Sequence, residues 1–184
     1  ALGARNMVTT AVLLVAIGLV VNAVATTGLG NSFALMIAEW SGDSLILALV
    51  LVALASLVLG MGLPVTASYV VLATLAAPAL YDLITRAELI DMLAAGAVPE
   101  SARAIFDLAV PDTALDAPMS AAAAADLMTR LPPELSSMLR EAALTPALLT
   151  TALLSAHMIV FWLSQDSNVT PPVCLTAFAA AGIA

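Results

Sequence analysis

The stretch SNVTPP at residues 167–172 places polar and helix-breaking residues between two apolar segments, 147–163 and 173–184. Where a helix breaks in lipid, its carbonyls and amides lose their partners, which is very costly unless protein, water or an ion replaces them. The two prolines of the stretch withhold amide donors and keep the backbone from closing into a helix. The stretch therefore predicts a discontinuous transmembrane helix over residues 147–184, broken at 166–172.

The composition of the chain indicates a membrane environment. Of its 184 residues, 62% are hydrophobic and 10% are charged, and the mean hydropathy is +1.10, outside the range of soluble domains. The formal charge of −8, with five Arg and no Lys, argues against nucleic-acid binding, which needs a basic face. The single Cys174 can form no intrachain disulfide. We expect an all-α integral membrane protein and, because the sequence begins Ala-Leu-Gly and ends inside an apolar run, a piece of a longer polypeptide.

The N-terminal part of the chain predicts one membrane span and one interfacial segment. Residues 7–28 form an uncharged run of 22 residues, long enough to cross a hydrocarbon core of about 30 Å at about 1.5 Å per residue. Residues 1–30 are therefore a predicted transmembrane helix. Residues 31–44 are a predicted interfacial segment, because Glu39 and Trp40 suit a membrane surface.

Two short apolar runs, 45–60 and 65–83, flank the sequence GMGLP. The first run has 16 residues, or about 24 Å as a helix, which is shorter than a bilayer core of about 30 Å. Two short helices around a Gly/Gly/Pro break, followed at once by Thr and Ser, indicate a re-entrant hairpin or a discontinuous span. We predict a helical hairpin over residues 45–83 with its tip at 60–66. One long helix kinked at Pro64 stays open as the alternative.

Residues 84–146 read as a small acidic helical insertion outside the bilayer. Between residues 82 and 141 there are ten acidic residues and four Arg. Ser120 is a predicted helix N-cap, and ahead of the hairpin Asp43 and Ser44 stand where an N-cap is expected. Helical patterns recur between the prolines of this segment, at 87–95, 100–109, 121–131 and 134–143.

The two predicted breaks share an uncharged, oxygen-rich composition. Hard cations such as Na⁺ prefer oxygen ligands, which unwound carbonyls and the side chains of Ser, Thr and Asn supply with little net charge. Gly60 and Gly62 permit tight, otherwise strained backbone. We hypothesise a Na⁺ site at Asn168 and Thr170 and expect no other cofactor.

Five blocks of the sequence also carry a family resemblance. In content and order they resemble the large, DctM-like permease subunit of tripartite ATP-independent periplasmic (TRAP) transporters, and among these the fused permeases that work with TAXI-type solute-binding proteins. The resemblance covers residues 1–82 and 146–184 and implies that this chain is the C-terminal half of the permease. The blocks are TGLG (27–30), LGMGLPVTASY (59–69), AAPAL (76–80), AHMIVFW (156–162) and SNVTPPV (167–173).

The resemblance implies a multi-pass protein of the bacterial inner membrane. It would be an ion-coupled symporter of the elevator type, importing a small organic anion that a periplasmic solute-binding protein delivers. The other implied partners are the lipid bilayer and helices like those of the small subunit, on the same or a fused chain. The long segment 84–146 departs from the family, which joins these blocks by a short loop. Carried over by position, the hairpin tip contains Gly60, Gly62, Pro64, Thr66 and Ser68, and the facing break contains Ser167, Asn168, Thr170 and Pro171.

Two ionisable residues beside the break allow two interpretations each. His157 could relay protons, because an ionisable group in a membrane helix is a functional candidate, or it could be a neutral packing histidine. Asp166 could complete an ion site or take up a proton, or it could be a solvated residue at a helix end. Local backbone capping is the alternative role for the hydroxyl and amide groups of Thr66, Ser68, Asn168 and Thr170.

A competing function class is a non-transport membrane protein, either an assembly subunit or an enzyme whose active site lies outside this sequence. The chain contains no HExxH, no Gly-x-Ser-x-Gly, no Gly-rich phosphate loop and no His/Cys cluster, so we expect no enzymatic activity. A purely structural subunit would need only small residues for helix packing, whereas this chain has polar breaks at two positions.

Overall fold

A computed structural model describes residues 2–42, 44–60, 63, 65–110, 115, 117–169 and 180–182. All regular structure in these ranges is helical, which confirms the all-α prediction. Eight α-helices are followed by one 3₁₀ turn, Gln165–Asn168. The helices are α1 (Leu2–Thr27), α2 (Leu29–Ser41), α3 (Leu45–Gly60), α4 (Val65–Ala94), α5 (Glu100–Ala109), α6 (Ala121–Arg130), α7 (Pro133–Ala143) and α8 (Pro146–Ser164).

Helix starts in this chain follow local capping chemistry. The Ser44 hydroxyl accepts a hydrogen bond from the Leu47 amide at 3.4 Å, at the start of α3. The Ser120 hydroxyl accepts one from the Ala123 amide at 3.2 Å, at the start of α6. A serine oxygen in this position satisfies one of the amides that the first helical turn leaves without a partner. The predicted N-cap at Ser120 is therefore confirmed, and ahead of α3 the Ser44 hydroxyl caps the helix, while Asp43 lies outside the described residues.

Helix α4 is longer than the predicted second arm of the hairpin. It runs without interruption from Val65 to Ala94, so the helix predicted at 87–95 is its C-terminal part and no boundary falls at residue 83. The rise in charge after residue 81 suggested a boundary, but charged residues do not end a helix, and no Gly or Pro occurs between residues 79 and 95. The helix ends ahead of Gly96, which adopts a left-handed φ of 67°.

Contacts divide the chain into two compact units. The apolar unit comprises Ala1–Leu80 and Ser155–Ala184, and the acidic unit comprises Tyr81–Leu154. The acidic unit corresponds to the predicted insertion 84–146 but has wider bounds, because the second part of α4 and the first part of α8 pack into its core.

The acidic unit has a hydrophobic core of its own. Phe106 of α5 is fully buried in it, and Ser101 ties α5 to α7 by donating to the Ala142 carbonyl at 2.7 Å. Gly96 is required where it stands, since a Cβ there would lie 3.0 Å from the backbone nitrogen of Pro118. The buried core residues come from four helices and their connections, and they are Leu89, Leu93, Val98, Ala102, Phe106, Leu115, Ala124, Leu127, Met128, Leu131, Leu139 and Leu144.

The apolar unit has the opposite surface, with large apolar side chains exposed along whole helices. Within the described ranges, two helices are long and apolar enough to cross a membrane, Val65–Ala94 and Pro146–Ser164. Helix α3 is apolar but shorter; it ends at Gly60, and α4 begins at Val65. Between them Leu63 is described and is not helical, whereas Met61, Gly62 and Pro64 of the predicted tip lie outside the described residues, so the hairpin and its kinked alternative both stay predictions. The exposed side chains include Val8, Val12, Val15 and Leu19 of α1, Ile46, Val50 and Leu54 of α3, and Leu154, Met158 and Trp162 of α8.

Candidate functional site

Helix α8 is joined to α3 by a hydrogen bond at the point where α8 ends. The hydroxyl of Ser56, which is fully buried, donates to the carbonyl of Leu163 at 2.7 Å. Leu163 belongs to the last turn of α8, and the 3₁₀ turn that follows also contacts α3. A carbonyl in the last turn of a helix has no regular partner within the helix, so a side chain from a second helix supplies the donor here.

Other protein groups satisfy further carbonyls at this helix end. The Ser164 hydroxyl donates to the Phe161 carbonyl at 2.7 Å, and the Gln165 side-chain amide donates to the same carbonyl at 3.3 Å. The Val169 amide donates to the Asp166 carbonyl at 3.1 Å, closing the 3₁₀ turn. These bonds account for the carbonyls of Phe161 and Asp166 at this helix end.

Helix α8 also contacts α4, through a tyrosine and the only histidine. The Tyr69 hydroxyl lies 3.3 Å from Nδ1 of His157, and the Tyr69 ring packs edge-on against Phe161 with 5.9 Å between centroids. This hydrogen bond between two half-buried side chains agrees with a packing role for His157. A proton relay would use the same contact, so both interpretations stay predictions.

The first turn of α4 contains a buried hydroxyl without a partner. Ser68 is fully buried, and its Oγ forms no hydrogen bond with any described group. Serine in a helix ordinarily bonds to a carbonyl three or four residues earlier, and leaving a buried hydroxyl unsatisfied costs about 1–3 kcal/mol. Thr66, two residues earlier, is exposed. Among the predicted site residues whose side chains are described, Ser68 is thus the buried one without a described hydrogen-bond partner.

The predicted site residues fall into two groups. The structure describes Thr66, Ser68, His157 and Asp166 with their side chains, and it brings the helices that bear Ser68 and His157 into contact through Tyr69. It describes only the backbone of Gly60, Ser167 and Asn168. The remaining predicted site residues lie outside the described residues, and they are Gly62, Pro64, Thr170 and Pro171.

Sequence reasoning missed Ser56 and Tyr69, the two residues that join α3 and α4 to α8. A signal for Ser56 exists, since it is the only polar residue between Leu45 and Leu59. Tyr69 follows the tip motif directly, but nothing in its neighbourhood indicates a partner 88 residues away. No group of three or more His, Cys, Asp or Glu residues that could hold a metal ion occurs in the described part of the chain.

Hydroxyl and imidazole groups held between largely apolar helices define a membrane component with polar chemistry inside its helix bundle. The model of the family described as "Tripartite ATP-independent periplasmic transporter, DctM component" matches residues 2–184, and the chain belongs to this family. It is accordingly a membrane component of a TRAP transporter, a permease that works with a periplasmic binding protein and not an enzyme. Neither a curated protein nor a solved structure matches the chain.

Proposed function

We propose that this chain contributes the ion- and solute-binding part of its permease. In this proposal, Na⁺ entry drives import of a small organic anion by an elevator movement in the bacterial inner membrane. The chain is the C-terminal half of a multi-pass, fused permease that pairs with a TAXI-type binding protein and with helices like those of the small subunit. These finer assignments are based on the five sequence blocks, of which LGMGLPVTASY and SNVTPPV are the most specific.

The observation that carries the proposal is the unpartnered Ser68 hydroxyl. It lies in the first turn of α4, directly after the glycine-rich tip sequence, where the resemblance implies ligands. A buried hydroxyl oxygen that has no described hydrogen-bond partner is a suitable ligand for Na⁺, because it adds a dipole without a charge. Its free-energy penalty in the empty state would be relieved when the ion binds.

In the proposed site, the hairpin tip and the break near residue 170 surround the ion and the solute. Asn168 and Thr170 supply oxygens to Na⁺ from the break, and Ser68 supplies one from α4. Gly60 and Gly62 let the tip backbone approach closely. The solute is an anion that binds through backbone amides at the start of a half-helix, where the helix dipole favours negative charge.

Transport assays test this proposal directly. Full-length protein in proteoliposomes, supplied with its binding protein, should take up solute only when a Na⁺ gradient is present. Asn168→Ala and Thr170→Ala should each raise the Na⁺ concentration for half-maximal uptake by about tenfold, the equivalent of losing one ligand interaction. Ser137→Ala, which removes an exposed hydroxyl bonded to a backbone carbonyl of α7, is the matched control and should change nothing.

A stability assay on Ser68→Ala separates ligation from packing. Na⁺ that binds only the folded state raises the unfolding temperature. In Ser68→Ala we expect this Na⁺-dependent rise to shrink while stability without Na⁺ stays level or increases, because an unsatisfied hydroxyl has been removed. Uptake driven by a proton gradient and indifferent to Na⁺ would contradict the proposed coupling. Unaltered Na⁺ dependence in all three variants would make the break a packing irregularity.

A further inference from the structure

Like Ser101 of α5, Ser56 differs from most described helical hydroxyls of this chain, because its acceptor belongs to another helix. Thr74 and Thr85 donate to carbonyls of their own helix, three or four residues earlier, as serine and threonine in helices usually do. Ser56 instead donates across to the carbonyl of Leu163, 107 residues away in sequence. A hydroxyl that donates to a carbonyl of another helix fixes the position of one helix relative to the other.

The acceptor of this bond lies where α8 changes its geometry. Helix α8 ends at Ser164, and residues Gln165–Asn168 continue as a 3₁₀ turn. At such a transition the carbonyls of the last α-turn lose regular partners, and in a water-free setting each one needs another donor. Ser56 provides that donor from the buried side of α3, which is otherwise apolar between Leu45 and Leu59.

The same turn of α8 is held from a second direction. Phe161, two residues before the acceptor, packs edge-on against Tyr69 of α4 with 5.9 Å between ring centroids. The 3₁₀ turn contacts α3. The last turn of α8 therefore touches both helices that flank the glycine-rich sequence GMGLP, and the Ser56 hydrogen bond is the directional contact among these.

We infer that Ser56 is a positioning residue: by bonding to the Leu163 carbonyl, it fixes the residue at which α8 stops being an α-helix, and thereby the placement of the polar stretch that follows. In this inference Ser56 acts through the end of α8 and not as an ion ligand. The inference rests on the proposed function in one respect, that the stretch after residue 167 binds Na⁺. Its structural part, the fixing of the helix end, does not depend on that.

Removing the hydroxyl should release the helix end. In Ser56→Ala the Leu163 carbonyl loses its donor while the packing volume hardly changes, so the turn can rewind or shift to find another partner. We expect amide hydrogen exchange across residues 165–169 to accelerate by about tenfold, and the Na⁺ concentration for half-maximal uptake to rise several-fold with the maximal rate largely kept. Ser56→Thr retains the hydroxyl and should restore both values.

The experiment uses full-length protein in proteoliposomes and measures exchange by mass spectrometry alongside uptake. Thr74→Val is the matched control, since it removes a hydroxyl bond that stays within one helix, and it should alter neither readout. Two results together support the inference. Amide exchange at residues 165–169 should be faster in Ser56→Ala, and the Na⁺ concentration for half-maximal uptake should be higher. Ser56→Thr should reverse both changes. Unchanged exchange overturns the inference, as does faster exchange with unaltered Na⁺ dependence or an equal effect in Thr74→Val. If wild-type uptake ignores Na⁺, the proposed function fails, and the exchange result alone decides whether Ser56 fixes the helix end.

Discussion

The two units of this chain place their apolar side chains in opposite ways. In the acidic unit Phe106 is 0% exposed, and a dozen buried residues share its core, whereas in the apolar unit Val15 of α1 is 65% exposed together with apolar neighbours on several sides of its helix. Continuous exposed apolar surface of this kind is not stable against water. The comparison shows that the acidic unit buries apolar side chains in a core of its own, whereas the apolar unit leaves large ones on its surface, although both consist only of helices where they are described.

Charge separates the units as well. Each of the four arginines of the acidic unit forms a contact inside that unit, and the best anchored is Arg140, which pairs with Asp82 at 2.6 Å and lies over the Tyr81 ring. With the arginines engaged internally, the excess of carboxylates gives the exposed surface its negative charge, which favours solubility. The remaining arginine contacts are those of Arg86 with Thr129, Arg103 with Glu100, and Arg130 with Asp126.

The largest expected effect comes from emptying the core of the acidic unit. Phe106→Ala should lower the free energy of unfolding of this unit by about 3–5 kcal/mol, because it removes a fully buried ring and leaves a cavity. Hydrogen exchange of the α5 and α7 amides in the detergent-solubilised protein measures the loss. Leu108→Ala on the same helix is the control, since this side chain is 77% exposed and should change stability by less than about 0.5 kcal/mol. Equal effects of the two variants would contradict a separate core.

The next largest effect comes from placing the same substitution, Arg, at one exposed position in each unit, which tests whether lipid or water surrounds that position. Val15→Arg, near the middle of α1, should raise the apparent free energy of membrane insertion of that helix by about 2.5–3.5 kcal/mol more than an apolar residue does. Leu108→Arg, in the acidic unit, should leave its stability within about 0.5 kcal/mol. An insertion assay on α1 and thermal unfolding of the whole protein provide the two measurements. If α1 accepts Arg at no cost, its exposed face is not in lipid.

Residues that cap or end helices made parts of this fold predictable from the sequence. The bounds of α3 and α5 agree with the predicted runs, 45–60 and 100–109, because a serine cap, a proline or a glycine stands at their ends. The end of α4 was not predictable from the change in composition, since a helix that leaves an apolar environment can continue into a polar one. Packing of its second half into the core around Phe106 decides its length.

In the candidate site, too, residues with local sequence signals could be predicted, whereas residues that act through distant contacts could not. Ser68 could be proposed from the sequence because it follows a glycine and proline break within a few residues. Ser56 and Tyr69 act through bonds to α8 that span 107 and 88 residues, and no local pattern encodes such a pairing. A lone serine in an otherwise apolar helix is nevertheless a usable signal, because burying a hydroxyl is unfavourable unless it finds an acceptor.

The smallest expected effect comes from removing a serine N-cap, compared between α6 of the acidic unit and α3 of the apolar unit. Ser120→Ala removes the acceptor of the Ala123 amide at the start of α6 and should cost about 1 kcal/mol, with faster exchange through the first turns of this short helix. Ser120→Asp keeps an acceptor and should preserve both values.

Ser44→Ala is the matched variant in the apolar unit, where the Ser44 hydroxyl accepts from the Leu47 amide. There the faster exchange should stop after the first turn, because backbone groups in lipid cannot exchange their helical bonds for water. Fraying of α3 as deep as that of α6 would mean that water, and not lipid, surrounds both helices.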